Sequence, residues 1–125
     1  MSEYPSKRSF FIGRWQPLHA GHIAIIRTAL DEGRQVVIGI METPPSRRNP
    51  FNLLERGEMF GLEFGLELEA GRMKVLPMPW IDEVCYGRDC GWRTRRIHLD
   101  PEIEAVSATE IRHELEAGTW RARSD

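Results

Sequence analysis

Ser9-Phe10-Phe11-Ile12-Gly13-Arg14-Trp15-Gln16-Pro17-Leu18-His19-Ala20-Gly21-His22 is the stretch on which the fold turns. Its first five residues are a short apolar run closed by glycine, the pattern of a buried strand. Arg14 to Leu18, with Pro17, read as a loop. From His19 to Glu32, Ile23, Ile26 and Leu30 recur at three- and four-residue spacing, and Ile25 and Ala29 widen the stripe. That period predicts a helix, and Gly33 supplies its stop. Gln35 to Met41, Gln-Val-Val-Ile-Gly-Ile-Met, read as a second buried strand.

The pattern continues toward the carboxyl terminus. Glu42 to Phe51 hold three prolines and two arginines and read as a loop. Asn52 to Glu69 read as a helix, with Asn52 and Glu55 spaced as a cap and its partner. Gly57, Gly61 and Gly65 share a face of that helix, and each weakens it by roughly 1 kcal/mol against alanine. Close packing of this face against another backbone is the expected reason for them. Arg72 to Leu76 read as a third strand, Pro77 to Gly91 as irregular, and Trp92 to Leu99 as a fourth strand. Pro101 to Val106 lead into a last helix, Ala108 to Ala117, closed by Gly118. Residues 1–8 and 119–125 read as loose ends. Strands alternating with helices indicate an α/β fold: a compact parallel sheet with helices on both faces. Ligands of such sheets sit beyond the carboxyl ends of the strands.

At 125 residues the chain reads as one domain, 1–125. Lys plus Arg number 17 against 19 Asp plus Glu, a net charge of −2, which argues against a general nucleic-acid binder. The apolar share of 41% is too high for a disordered chain, and no apolar run reaches membrane-spanning length. The start carries no signal-peptide core, so the expected location is the cytoplasm. Two cysteines, Cys85 and Cys90, are too few for a disulfide framework and lack zinc-ligand spacing, so no protein-held metal is assigned.

Two helix starts carry the chemistry. His19 and His22 lie three apart on one side of the first turn of the first helix, with Gly21 between them. Helix N-terminal amides and the dipole behind them favour an anion at that place. The second start is Ser107-Ala108-Thr109-Glu110-Ile111-Arg112. Ser107 and Glu110 suffice for a capping box, whereas Thr109 and Arg112 point to a second phosphate contact. Two such starts facing one polyanion suit a nucleoside triphosphate. A Walker loop is absent from the sequence. No nucleophile motif is present either, so direct transfer to a bound acceptor is expected.

His19-Ala20-Gly21-His22 and Ser107 to Arg112 resemble the paired signatures of the nucleotidylyltransferase superfamily with the His-x-Gly-His motif. The stretch from Gly13 to His22, with Asn49-Pro50-Phe51 and Glu55-Arg56, is similar to archaeal-type nicotinamide mononucleotide adenylyltransferases. Tyr86-Gly87-Arg88-Asp89 before Gly91-Trp92 looks more like the small cytidylyltransferases of phosphonate biosynthesis. The resemblance implies a Rossmann-like fold and a reaction assisted by Mg2+ held mainly by the triphosphate. It casts His19, His22 and Arg112 as catalytic. Gly13, Arg14, Trp15, Gly21, Tyr86, Gly87, Arg88, Asp89, Ser107, Ala108 and Thr109 would bind the nucleotide. Arg47, Arg48 and Arg56 would bind the acceptor. The short segment before Ser107 favours a small acceptor, so the leading expectation is transfer of CMP from CTP to a phosphonate such as phosphonoformate, or to a phosphate. The alternative is adenylyl transfer from ATP to nicotinamide mononucleotide or a similar acceptor. A nucleotide-binding regulator without turnover is a remote third reading. An RNA-binding module, suggested by Arg88, Arg93, Arg95 and Arg96, is weaker than any of these. No nucleic acid or membrane partner is expected, and a homo-oligomer would suit so small and open a domain.

Overall fold

The computed structural model describes residues 7–88 and 92–104. Three strands, β1 (Arg8–Gly13), β2 (Gln35–Met41) and β3 (Met73–Met78), alternate with α1 (Ala20–Asp31) and α2 (Leu53–Glu69). A four-residue helix, α3 (Pro101–Glu104), follows. The sheet is parallel in the order β1-β2-β3, with Phe11 opposite Ile38 and Ile38 opposite Val75. The expected α/β class with a parallel sheet is what the chain forms.

Alternation along β2 sends Val36, Ile38 and Ile40 to one face, where they are buried with Ile26, Ala29 and Leu30 of α1 and Phe60 and Phe64 of α2. Both crossovers step the same way across the sheet, and right-handed connections then place both helices on one face. Arg27 of α1 accordingly bonds Glu67 of α2 and lies 4.6 Å over the Phe64 ring. On the opposite face Phe10 and Leu76 are 55% and 47% exposed. A second helical layer is not among the described residues.

Element ends follow local chemistry. Asn52 and Glu55 cap α2 reciprocally, with Asn52 Oδ1 accepting from the Glu55 N–H at 2.7 Å. Gly33, at φ 82°, turns the chain out of α1. Strand β1 begins at Arg8, one residue inside the stretch expected to be loose, because Gln35 N–H bonds the Lys7 carbonyl at 2.9 Å. Strand β3 runs past Leu76 through Pro77, which an edge strand tolerates.

Two expectations are corrected. Trp92 to Leu99 form no strand. That segment crosses the surface, with Trp92 82% exposed and Arg95 paired to Glu32 at the end of α1 at 2.6 Å. Among the described residues nothing packs on the glycine face of α2: a Cβ at Gly57, Gly61 or Gly65 would meet no atom within 4 Å. The expected last helix, Ala108 to Ala117, lies outside the described residues, and no helix among those described is long and apolar enough to cross a membrane. Because Gly61 has helical backbone and open space around it, Gly61→Ala is expected to stabilise the fold by about 0.5–1 kcal/mol. The urea unfolding midpoint checks this.

Candidate active site

His19 is the N-cap of α1, extended at φ −135°, ψ 176°. Its Nδ1 accepts the N–H groups of Gly21 (3.1 Å) and His22 (3.4 Å). His22 Nδ1 in turn accepts the His19 N–H at 3.3 Å. The result is a capping box made of two imidazoles. Of the helix N-terminal amides expected to meet an anion here, two are held by His19 Nδ1. An accepting Nδ1 carries no proton, so each neutral ring bears its proton on Nε2. The rings stack with centroids 3.6 Å apart and planes 18° from parallel. Capping thus uses Nδ1 and leaves two Nε2–H donors for an anion.

Trp15 supports this pair from below. It is 5% exposed, its backbone is left-handed at φ 53°, and its indole N–H donates to the Gly39 carbonyl at 2.9 Å. Its ring meets His22 edge-on, with centroids 4.7 Å apart, and Phe60 likewise at 5.3 Å. A Cβ at Gly13 would stand 3.2 Å from the Trp15 ring, so glycine leaves the indole its room. Trp15, expected against the nucleotide, is instead a core brace beneath the histidines. Burial and ring stacking have an electrostatic consequence. Desolvation lowers the pKa of His19. Desolvation first, then the charge of a protonated His19, takes His22 to about 3. Near neutral pH both rings act as hydrogen-bond donors without charge.

The β2–α2 loop, 42–52, faces the same end of the sheet. Ser46 and Asn49 close its tip with reciprocal backbone bonds of 3.2 and 3.1 Å. Arg47 and Arg48 are exposed on that tip. Arg14 is turned toward the loop and donates to Asn49 Oδ1 at 3.2 Å. Arg56, expected at the acceptor, has its side chain buried beside this loop. It is 1% exposed, and its Nε and Nη1 donate to the carbonyls of Asn52, Arg14 and Met41. A cleft of about 470 Å3 beside this loop is lined by Glu42, Thr43, Asn49, Phe51, Glu55 and Arg56 among others. Its lining mixes carboxylates with amides and apolar groups.

Tyr86, Gly87 and Arg88 are exposed in the irregular segment after β3. Asp89, Ser107, Ala108, Thr109 and Arg112 lie outside the described residues. Gln16 escaped the sequence reading altogether. It is 1% exposed and bonds both Thr43 and Phe51. A polar residue inside a signature stretch, between Trp15 and Pro17, was the only available signal.

Residues 10–62 match the family model described as cytidylyltransferase-like. The nicotinamide-nucleotide adenylyltransferase of Thermococcus kodakarensis is 34% identical over 104 residues, covering 80% of this chain and 52% of that protein. The enzyme of the same name from Methanolobus tindarius is 30% identical over 102 residues, covering 80% and 55%. The chain is similar to nucleotidylyltransferases. It spans about half the length of these relatives. Among solved structures, a bifunctional NMN adenylyltransferase/ADP ribose pyrophosphatase from Francisella tularensis superposes with a TM-score of 0.52 at 29% identity. The match covers 60% of this chain and 23% of that one. The same protein has been solved with AMP and a manganese ion. The resemblance read from the His-x-Gly-His signature, including its adenylyltransferase branch, is borne out.

The lowered histidine pKa values carry a stability prediction. A histidine near 6.5 unfolded and near 3 folded binds more protons in the unfolded state between those values. The stabilisation is therefore complete above pH 6.5 and lost as pH falls toward 3. The slope attributable to one such ring is at most about 1.4 kcal/mol per pH unit. Urea unfolding at a series of pH values reads this slope. His22→Gln, which retains a capping-box acceptor, should flatten it.

Proposed function

We propose that this chain catalyses nucleotidylyl transfer, and that it transfers AMP from ATP to a phosphate-bearing acceptor of the nicotinamide mononucleotide kind. The stacked pair His19 and His22 carries the reading, since it offers two Nε2–H donors at the carboxyl end of β1. In the reaction an acceptor phosphate oxygen forms a bond to the α-phosphorus. The bond from that phosphorus to the β-bridging oxygen breaks, and its electron pair leaves with pyrophosphate. The histidine donors meet the non-bridging α-oxygens, where charge develops, and neutral rings can do this without a proton being taken up first.

Other roles complete the proposal. Ser107, Ala108, Thr109 and Arg112 hold the β- and γ-phosphates. Tyr86, Gly87, Arg88 and Asp89 lie toward the base or ribose, with Gly13, Arg14 and Gly21 near the phosphates. Arg47 and Arg48 meet the acceptor's anionic group. A divalent ion, Mg2+ by expectation, neutralises charge on the triphosphate.

The adenylyl donor replaces the cytidylyl donor expected from the sequence because the relatives from Thermococcus kodakarensis and Methanolobus tindarius are adenylyltransferases by name. Cytidylyl transfer to a small phosphonate stays as the second reading. The cytidylyltransferase-like match over 10–62 and the Tyr86-Gly87-Arg88-Asp89 stretch favour it.

Pyrophosphate release from ATP or CTP, each against nicotinamide mononucleotide and phosphonoformate, separates the two. Turnover is expected to be highest with ATP and the mononucleotide. Faster release with CTP and the phosphonate would move the assignment to the second reading, and no release with any pair would sink both. His22→Gln should lower kcat by about 10²–10³ while the melting temperature changes little.

A further inference from the structure

The two sides of the site belong to different loops. The histidines follow the β1–α1 loop, whereas Arg47 and Arg48 sit on the β2–α2 loop. Chain connectivity alone does not hold these loops at one separation, because α1 and β2 intervene. Buried polar side chains do. The Gln16 carboxamide pairs with Phe51 as one strand pairs with another. Its Nε2 donates to the Phe51 carbonyl at 2.9 Å, and its Oε1 accepts the Phe51 N–H at 2.9 Å. The same Nε2 reaches Thr43 Oγ1 at 3.1 Å. Arg56 approaches from the other side. Its Nη1 donates to the carbonyls of Arg14 and Met41, both at 2.7 Å, and its Nε to Asn52 at 3.2 Å. One guanidinium thereby joins the β1–α1 loop, the end of β2 and the cap of α2.

Both side chains are 1% exposed, and Arg56 has no ion-pair partner among the described residues. A buried amide and a buried cation solvated only by carbonyls are costly ways to gain stability. They are effective ways to fix a distance, because each bond is short-ranged and directional. We infer that Gln16 and Arg56 are positioning residues for the transfer: they set where the acceptor-bearing loop stands relative to the histidine pair. Neither needs to touch a reacting atom. The inference rests on the transfer reading above and deepens it, since it moves Arg56 from contact with the acceptor to control of the loop that carries it.

The test uses Gln16→Leu and Arg56→Lys in the full chain, read by steady-state kinetics and by amide hydrogen exchange of residues 43–51. Misplacement should raise the acceptor KM and lower kcat, each by about tenfold or more, and leave the nucleotide KM within about twofold. Exchange in 43–51 should accelerate while the interior of α1 keeps its protection. Arg56→Lys keeps the charge but not the forked geometry, so under this inference it behaves like Gln16→Leu. If Arg56 acted on the acceptor through charge, lysine would restore most of the activity. An equal loss of activity at all substrate concentrations with unchanged KM values, or exchange in 43–51 equal to wild type, overturns the inference. Should Gln16→Leu fail to fold, Thr43→Val removes only one of the bonds and should shift the acceptor KM and the exchange in the same direction. Wild-type protein that releases no pyrophosphate with any substrate pair sinks the functional reading. Loop exchange unchanged in the variants of an active protein sinks this inference alone.

Discussion

The indole N–H of Trp15 on the Gly39 carbonyl is the bond from which the site is built. It ties the β1–α1 loop to the middle of β2, with a left-handed turn at Trp15. The ring then lies between Phe60 below and His22 above. The histidine pair therefore stands on the hydrophobic core and does not hang from a surface loop. Movement of the imidazoles would require repacking of Phe60, which is fully buried. Close-packed interiors resist such repacking, and this is how a short loop can hold two rings in fixed stacking.

Stacking and burial also decide the electrostatics. Two imidazoles with centroids 3.6 Å apart cannot both carry charge cheaply, and each would lose its Nδ1 capping bond on protonation. The helix start is thus satisfied by neutral rings, and the same rings keep Nε2–H for a ligand. Capping and binding are often alternative explanations for a polar residue at a helix start. In this loop Nδ1 of each ring caps, and Nε2–H is the end to which the proposed function assigns binding. In the proposed transfer, the positive contribution to an anion would come from the helix dipole and from the arginines nearby, with the imidazoles supplying direction.

Much of the fold was legible because its signals are local. The apolar run at 9–13 and the aliphatic run at 35–41 became strands, and the 3.6-residue stripe from Ile23 to Leu30 became α1. The Asn52–Glu55 cap appeared as spaced. Trp92 to Leu99 failed as a strand because alternation is a weak signal unless the segment pairs with a sheet edge, and this one instead anchors through Arg95 on Glu32. The glycines of α2 misled for a related reason. Their spacing says that a close approach is possible on that face, and only packing says whether one occurs. Within the site the histidines were legible as a motif. The packing of Trp15, Gln16 and Arg56 was not, since a buried polar residue is recognised by its partners, and these lie as far as 42 residues away.

The order of residues alone thus determined the alternating elements, their approximate ends and the presence of a paired-histidine helix start. These depend on periodicity and on contacts within four residues, which are properties of neighbouring side chains. Tertiary structure alone decided that Nδ1 caps while Nε2 remains, that Trp15 lies inward, and that Arg56 spends its donors on three carbonyls. Those outcomes depend on which backbone groups arrive beside a side chain after the sheet and helices have closed on one another. A buried donor takes the partner that folding brings within hydrogen-bond reach, and linear spacing holds no record of that distance.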